Sequence, residues 1–345
     1  NSGDVFYAAA AAPGGGYYLA GYSSSAASGA DIWLVKVDAS LNLVSSRTLN
    51  GSGNGFDTAY GMAVSGSGEV YVVGATSAAA FGMQPWVGRF ASTLALVSST
   101  TYVGGVAIPG DNNASFDGVF IEPSGDVLVA GDGYPYPGAA WSHILLARYN
   151  AALAVVATTT YNNGFASEYG ATVFRSTSGD VYVGGGVAPA ALTSHDAWLG
   201  KFNSALSLQT SVTFVGAAGH SDSIRSIAQG GNGDLYVTGA AINSGVTADL
   251  WLARYTTGLV RLSSQSVAGV AGATDVGQAI KTGYPGTLFV GGAVSQSGQG
   301  YNVYFSEIRE DLTLKSSASY VGAGASADFG FGLVVDTTSA VAMVA

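Results

Sequence analysis

The chain contains no cysteine, which excludes disulfides, thiol catalysis and thiolate metal sites together. Charge is scarce as well: 10% of residues are charged, against about a quarter in an average globular domain. Basic residues are the scarcest, 12 Lys and Arg against 22 Asp and Glu. The formal charge of −10 repels phosphate backbones and argues against a nucleic-acid partner. No apolar run approaches the ~18 residues that would span a membrane. Prolines number only 8, and no stretch shows a helical period of apolar residues. What is plentiful is glycine, 51 of 345 residues, in a background that is 48% hydrophobic. That apolar share rules out a disordered chain. The first residue is Asn and no signal peptide follows it, so the sequence reads as a processed product or a fragment.

A repeat dominates the sequence. A short apolar run ending in glycine recurs as YYLAG, VYVVG, VLVAG, VYVGG, LYVTG and LFVGG, closing at Gly21, Gly74, Gly131, Gly185, Gly239 and Gly292. A weaker seventh copy, VAMVA, ends at Ala345. Successive copies lie 53 to 57 residues apart. Seventeen residues before each closing position stand Asp4, Asp57, Ala114, Glu168, Asp222, Asp275 and Asp328, six acids in seven copies.

Each copy holds four strand-like pieces: one after the acid, one ending at the glycine, a third such as DIWLVKVD or DLWLARYT, and a fourth opening on an L-x-L pair such as Leu94/Leu96. Period-two alternation in short glycine-bounded runs predicts strands throughout. Four antiparallel strands every ~50 residues predict a β-propeller blade. Trp33, Trp86, Trp198 and Trp251 on the third strands are expected to fill the gaps between blades. Lys36, Arg89, Arg148, Lys201 and Arg254 share one third-strand position and are expected to pair with the repeated acids as structural ion pairs.

The elements D-x-x-x-G-x-A-V and S-G-E-V-Y-V-V-G between Asp57 and Gly74, with D-L-W-L-A-R-Y at Asp249–Tyr255, carry a resemblance to a known family. The chain resembles, over its whole length, the bacterial SBBP-type (seven-bladed β-propeller) repeat proteins, although with less charge and more alanine. The resemblance implies an exported propeller and says little about activity. Seven first and second strands but only six third and fourth strands can be counted. The expectation is therefore an all-β, single-domain propeller of residues 1–345, seven-bladed with the last blade incomplete. Its blades fall near 1–52, 53–110, 111–164, 165–218, 219–271 and 272–324, with a half blade at 325–345. The missing strand pair could lie beyond Ala345 or upstream of Asn1, and six blades followed by the start of another array is the third arrangement.

Catalytic motifs are absent: there is no Asp box, P-loop, G-x-S-x-G or H-E-x-x-H. His143, His195 and His220 fall in loops or at strand starts of different blades and read as solvated side chains, so no metal and no cofactor is expected. Asp111, Asn113, Ser115, Asp117 and Glu122 mimic the spacing of a calcium loop, but Phe116 stands where its sharp turn needs glycine.

The repeat breaks most in its third copy, which has Ala114 for the acid, Leu145 for Trp and two unusual loops. These place Asp111, Asp132, Tyr134, Tyr136, Trp141 and His143 on one loop face, where aromatic rings beside carboxylates suit a glycan or peptide ligand. The functional expectation is a non-catalytic, extracellular or cell-surface scaffold, adhesion or ligand-binding module, a monomeric domain of a larger protein. The alternative is a propeller-type carbohydrate-active or peptide-cleaving enzyme.

Overall fold

The computed structural model describes residues 3–25, 29–78, 82–102, 114–133, 141–164, 167–189, 194–216, 221–242, 247–270, 273–298, 300–322, 327–336 and 341–344. Every regular element among them is a strand. The first blade runs β1 (Val5–Ala11), β2 (Tyr17–Ser25), β3 (Gly29–Val37), β4 (Leu43–Leu49). The second is β5 (Thr58–Val64), β6 (Val70–Ala78), β7 (Gly82–Phe90), β8 (Leu96–Thr101), and the third β9 (Ser115–Ile121), β10 (Val127–Gly133), β11 (His143–Tyr149), β12 (Val155–Tyr161). The fourth comprises β13 (Glu168–Arg175), β14 (Val181–Val187), β15 (Asp196–Phe202), β16 (Leu208–Phe214). The fifth is β17 (Ser223–Gln229), β18 (Leu235–Ala241), β19 (Asp249–Tyr255), β20 (Arg261–Val267). The sixth is β21 (Val276–Thr282), β22 (Thr287–Gln296), β23 (Gly300–Arg309), β24 (Leu314–Tyr320). Each is a four-stranded antiparallel sheet in sequence order.

The expected seventh blade is not formed. Among the described residues there are six four-stranded blades, and the copy that starts at Asp328 yields only the pair β25 (Leu333–Asp336) and β26 (Val341–Val344). The physical reason is in the pairing: the first-strand and second-strand segments of that copy pair with each other as a two-stranded sheet.

By internal contacts the chain divides into two compact units, one of residues 1–163 and 167–173, the other of 164–166 and 174–345. In the first unit, β1, β5 and β9 pack side by side, and Ile32 and Leu34 of blade 1 share a core with Trp86 and Phe90 of blade 2. In the second, Phe214 of blade 4 stacks on Trp251 of blade 5 at 4.6 Å between ring centroids. The expected inter-blade placement thus holds for Trp86 and Trp251. Trp198 is fully buried over Gly200, and Trp33 is half-buried against Phe6 of its own blade.

The glycine that closes each repeat has a steric cause. The first strand carries a β-bulge three residues after the acid, at Tyr7, Tyr60, Asp117, Arg225 and Gln278. The bulge pushes the first strand's backbone against the second. A Cβ at Gly74 would lie 2.0 Å from the Thr58 carbonyl oxygen, and one at Gly131 1.9 Å from that of Ser115. Only hydrogen fits there.

The repeated acids do not pair with the repeated cations. Asp57, Asp222 and Asp275 are buried latches for backbone N–H groups. Asp57 accepts from Gly51 N at 2.7 Å and Ser77 N at 2.5 Å, and Asp222 from Gly216 N at 2.6 Å and Ile242 N at 2.7 Å. Asp275 repeats the arrangement with Gly269 and Ser295. The latch residue's own N–H donates to the preceding blade, Asp57 to Ala30 O and Asp222 to His195 O. These three acids therefore each tie their own second strand to the tail of the blade before it, whereas Asp4 accepts from Ser24 N and Glu168 from Asn163 N. Four of the five cations pair instead with acids of the first hairpin turn, Arg89 with Glu69, Arg148 with Glu122, Lys201 with Asp180 and Arg254 with Asp234, while Lys36 donates to Ser92 O at 3.0 Å. The latch sits at the opposite end of the blade from these cations, so the two sets cannot meet.

The turn between the third and fourth strands of every blade holds a leucine in the left-handed region, Leu41, Leu94, Leu153, Leu206, Leu259 and Leu312, with φ between 60° and 69°. Five of the six are buried, which offsets the cost of a conformation that glycine would adopt freely; Leu41 alone is 58% exposed.

Candidate functional site

Of the six residues expected to form the site, Asp111, Tyr134 and Tyr136 lie outside the described residues. Trp141 is half exposed. Asp132 and His143 do not face one another: Asp132 stands opposite Ser115 and Ile144, whereas His143 stands opposite Gly133, so their side chains leave opposite faces of blade 3. His143 meets the Asn162 side chain instead, and burial lowers its pKa. In the calcium-like segment, Asp111 and Asn113 lie outside the described residues, and Glu122 is engaged by Arg148 through Nε at 2.6 Å and Nη2 at 3.2 Å.

Asp132 belongs to a different constellation, built by the first-strand bulges of unit one. A bulged residue is released from the ladder and its side chain re-aimed, which is why such positions gather at functional sites. In blades 1, 2 and 3 the bulged residues are Tyr7, Tyr60 and Asp117. Tyr7 and Tyr60 approach to 5.4 Å between centroids, Tyr7 and Tyr22 to 6.0 Å, and Phe56 closes on Tyr22 at 5.1 Å. The backbone of Asp117 abuts Gly61, the neighbour of Tyr60, where a Cβ would sit 2.4 Å from the Asp117 carbonyl oxygen. Tyr7, Tyr22, Tyr60, Asp117 and Asp132 are all half-buried.

The two carboxylates share one hydroxyl. Ser115 Oγ lies 2.8 Å from Asp117 Oδ1 and 3.2 Å from Asp132 Oδ1, so the two oxygens are no more than about 6 Å apart. A serine hydroxyl has a single proton to give. When it donates to Asp117, a bond to Asp132 requires the proton to be on Asp132, which then donates to Ser115 Oγ. The electrostatics run the same way. Burial, followed by the charge of Asp117, raises the Asp132 pKa well above the usual carboxylate range. Burial, with Asp117 next, also raises that of Tyr60, while burial and then Tyr22 raise Tyr7. The cluster thus presents neutral phenols, a carboxylate and an acid biased toward its protonated form. It can stack, accept hydrogen bonds and donate a proton.

The residues missed from sequence are Tyr7, Tyr22 and Tyr60, together with Asp117 in this role. A signal existed. The position three residues after the acid reads Tyr7, Tyr60, Asp117, Ala171, Arg225 and Gln278, and it carries charged side chains where the two positions before it carry none.

No family model matches the sequence, and no curated protein matches it. Among solved structures, the chain is similar to virginiamycin B lyase from Staphylococcus aureus (TM-score 0.54, 11% identity, 91% of this chain and 87% of that one). It is similar also to the GH74 xyloglucanase from Xanthomonas campestris (TM-score 0.57, 13% identity, 99% of this chain). A third likeness is to the extracellular domain of a hybrid two-component system from B. thetaiotaomicron (TM-score 0.50, 9% identity, 99% of this chain). The chain spans half of the xyloglucanase and 39% of the third protein. At these identities the likeness is one of fold: the protein is a β-propeller.

Proposed function

We propose that the chain is a non-catalytic, exported β-propeller module that binds a saccharide on the bulged strands of its first three blades. The carrying observation is the convergence of Tyr7, Tyr22 and Tyr60 with Asp117 and Asp132, from five strands. Half-buried phenol rings offer faces to the C–H groups of a sugar ring, and the acids accept its hydroxyls. No member of the cluster is basic, which disfavours an anionic ligand. A purely structural cluster would be more stable with apolar residues, because a buried, like-charged acid pair costs free energy.

Placement outside the cell is supported by the resemblance to exported propeller repeats and by the neighbour described as an extracellular domain. The test is a glycan array followed by calorimetry on wild type, Tyr60→Ala and Asp132→Asn. Either substitution should weaken binding of a retained glycan about tenfold or more, as expected for loss of one stacking or hydrogen-bonding contact. An array that retains nothing, or binding indifferent to both substitutions, refutes the proposal. A Tyr134→Ala, Trp141→Ala double variant on the same array tests whether the blade 3 loop takes part.

One observation favours a second reading, that of a glycoside hydrolase. Asp117 and Asp132, bridged by Ser115 and with oxygens no more than about 6 Å apart, fall within the bound that the ~5–5.5 Å of retaining enzymes requires, with Asp132 the proton donor. Release of reducing ends that stops in Asp132→Asn would decide for it.

A further inference from the structure

A second recessed surface of the first unit is unrelated to the bulged strands. A cleft of about 330 Å³ opens between blades 1 and 2 beside the Asp57 latch. Its floor is Trp86, only 5% exposed, and its sides include Thr76, Gln84, Ser99 and Thr101. Strand register explains why these meet. Thr76 is paired directly with Gln84, Trp86 with Thr101, and Ser99 is two residues from Thr101 on the same strand. Alternation therefore sends all five side chains out of one face of blade 2.

Three features set the cleft apart from ordinary inter-blade packing. First, the Thr76 position holds the buried apolar Val187, Ala241 and Val294 in blades 4, 5 and 6 and Gly133 in blade 3, so a hydroxyl there is confined to blades 1 (Ser23) and 2. Second, the side chains of Thr76, Gln84, Ser99 and Thr101 form no hydrogen bond with another described residue. Thr76, Gln84 and Thr101 are half-buried and Ser99 is exposed, and a ligand beside the indole would give the three half-buried groups a partner, from which such groups gain most. Third, no charged side chain lines the cleft, so a charged ligand entering it would lose hydration without compensation.

We infer that this cleft is a second binding site, for a single neutral, polyhydroxylated ring such as a monosaccharide. Its volume lies at the small end of the range for ligand pockets, which suits one ring. Trp86 supplies an apolar surface for the ring's C–H groups, the Gln84 amide both donates and accepts, and the three hydroxyls take the ligand's hydroxyls. The site is independent of the bulged-strand cluster, and either can exist without the other.

Saturation-transfer NMR with glucose, galactose, mannose and myo-inositol tests this on the full chain. The variants are Thr76→Val, which copies blade 6, Gln84→Leu, and Tyr60→Ala as the control for the other site. At least one of the four probes should bind wild type and still bind Tyr60→Ala, the variant in which the bulged-strand cluster is disabled. Thr76→Val and Gln84→Leu should each weaken that binding about tenfold at an unchanged thermal midpoint. Failure of all four probes to bind, or binding that Tyr60→Ala abolishes and the cleft variants leave intact, overturns the inference.

Discussion

The left-handed leucines allow one side chain to be tested in one backbone conformation under two burials. Leu41 has φ 63° and is 58% exposed, while Leu206 has φ 60° and is 1% exposed. A left-handed L-residue costs roughly 1–2 kcal/mol, which asparagine largely escapes through its local hydrogen bonds. Substituting Asn at either position recovers about 1 kcal/mol of that strain. At Leu41 less than half of the side chain's burial is lost, about 1 kcal/mol of the ~2 that full burial of a leucine contributes. The two effects cancel, and Leu41→Asn should change stability by less than about 0.5 kcal/mol. At Leu206 the whole burial is lost and an amide is left inside, about 3–4 kcal/mol, so the net loss should be about 2–3 kcal/mol. Urea unfolding with unchanged slope measures both. Equal losses at the two sites, or a neutral Leu206→Asn, would show that burial is not what holds these turns in place.

Three further outcomes are expected. Asp222→Ala strips two backbone N–H groups of their carboxylate and should cost about 3 kcal/mol in urea unfolding, with Asp222→Asn intermediate because its amide oxygen can serve only one of them. Gly74→Ala, whose Cβ would meet the Thr58 carbonyl oxygen at 2.0 Å, should shift the thermal midpoint down sharply or prevent folding, while Gly66→Ala, open on all sides, leaves it unchanged. Burial raises the Glu168 pKa from 4.5 to about 7, although the Asn163 N–H pulls it down. The folded state thus holds this proton more tightly than the unfolded state. Its stabilisation is complete below about pH 4.5 and is lost as pH rises through about 7. Glu168→Gln should therefore flatten the fall in thermal midpoint between those values, and an unaltered pH profile would refute that assignment.

The fold was legible because a repeat writes the same constraints many times. Glycines spaced alike signal a recurrent clash, met at Gly21, Gly74, Gly131, Gly239 and Gly292, and alternation within each copy announces strands. Both are local properties, set by neighbours within one blade, and local sterics and the two-residue pleat can be read without coordinates. The blade count was not legible in that way. Whether the seventh copy forms a four-stranded sheet depends on strands pairing, and among the described residues β25 and β26 pair with each other alone.

The site lay further from reach, since its members touch across blades. Asp132 was picked out for its place in an odd loop, yet its partners are Ser115 and Asp117, and the tyrosines beside them come from blades 1 and 2. Likewise the repeated acids and cations invited pairing by count. Only the register placed the acids on backbone amides at one end of each blade and the cations on hairpin acids at the other. Sequence periodicity determines which face of a strand a residue takes. Which face of which neighbouring blade it then meets is a long-range contact, and that was decided by tertiary packing alone.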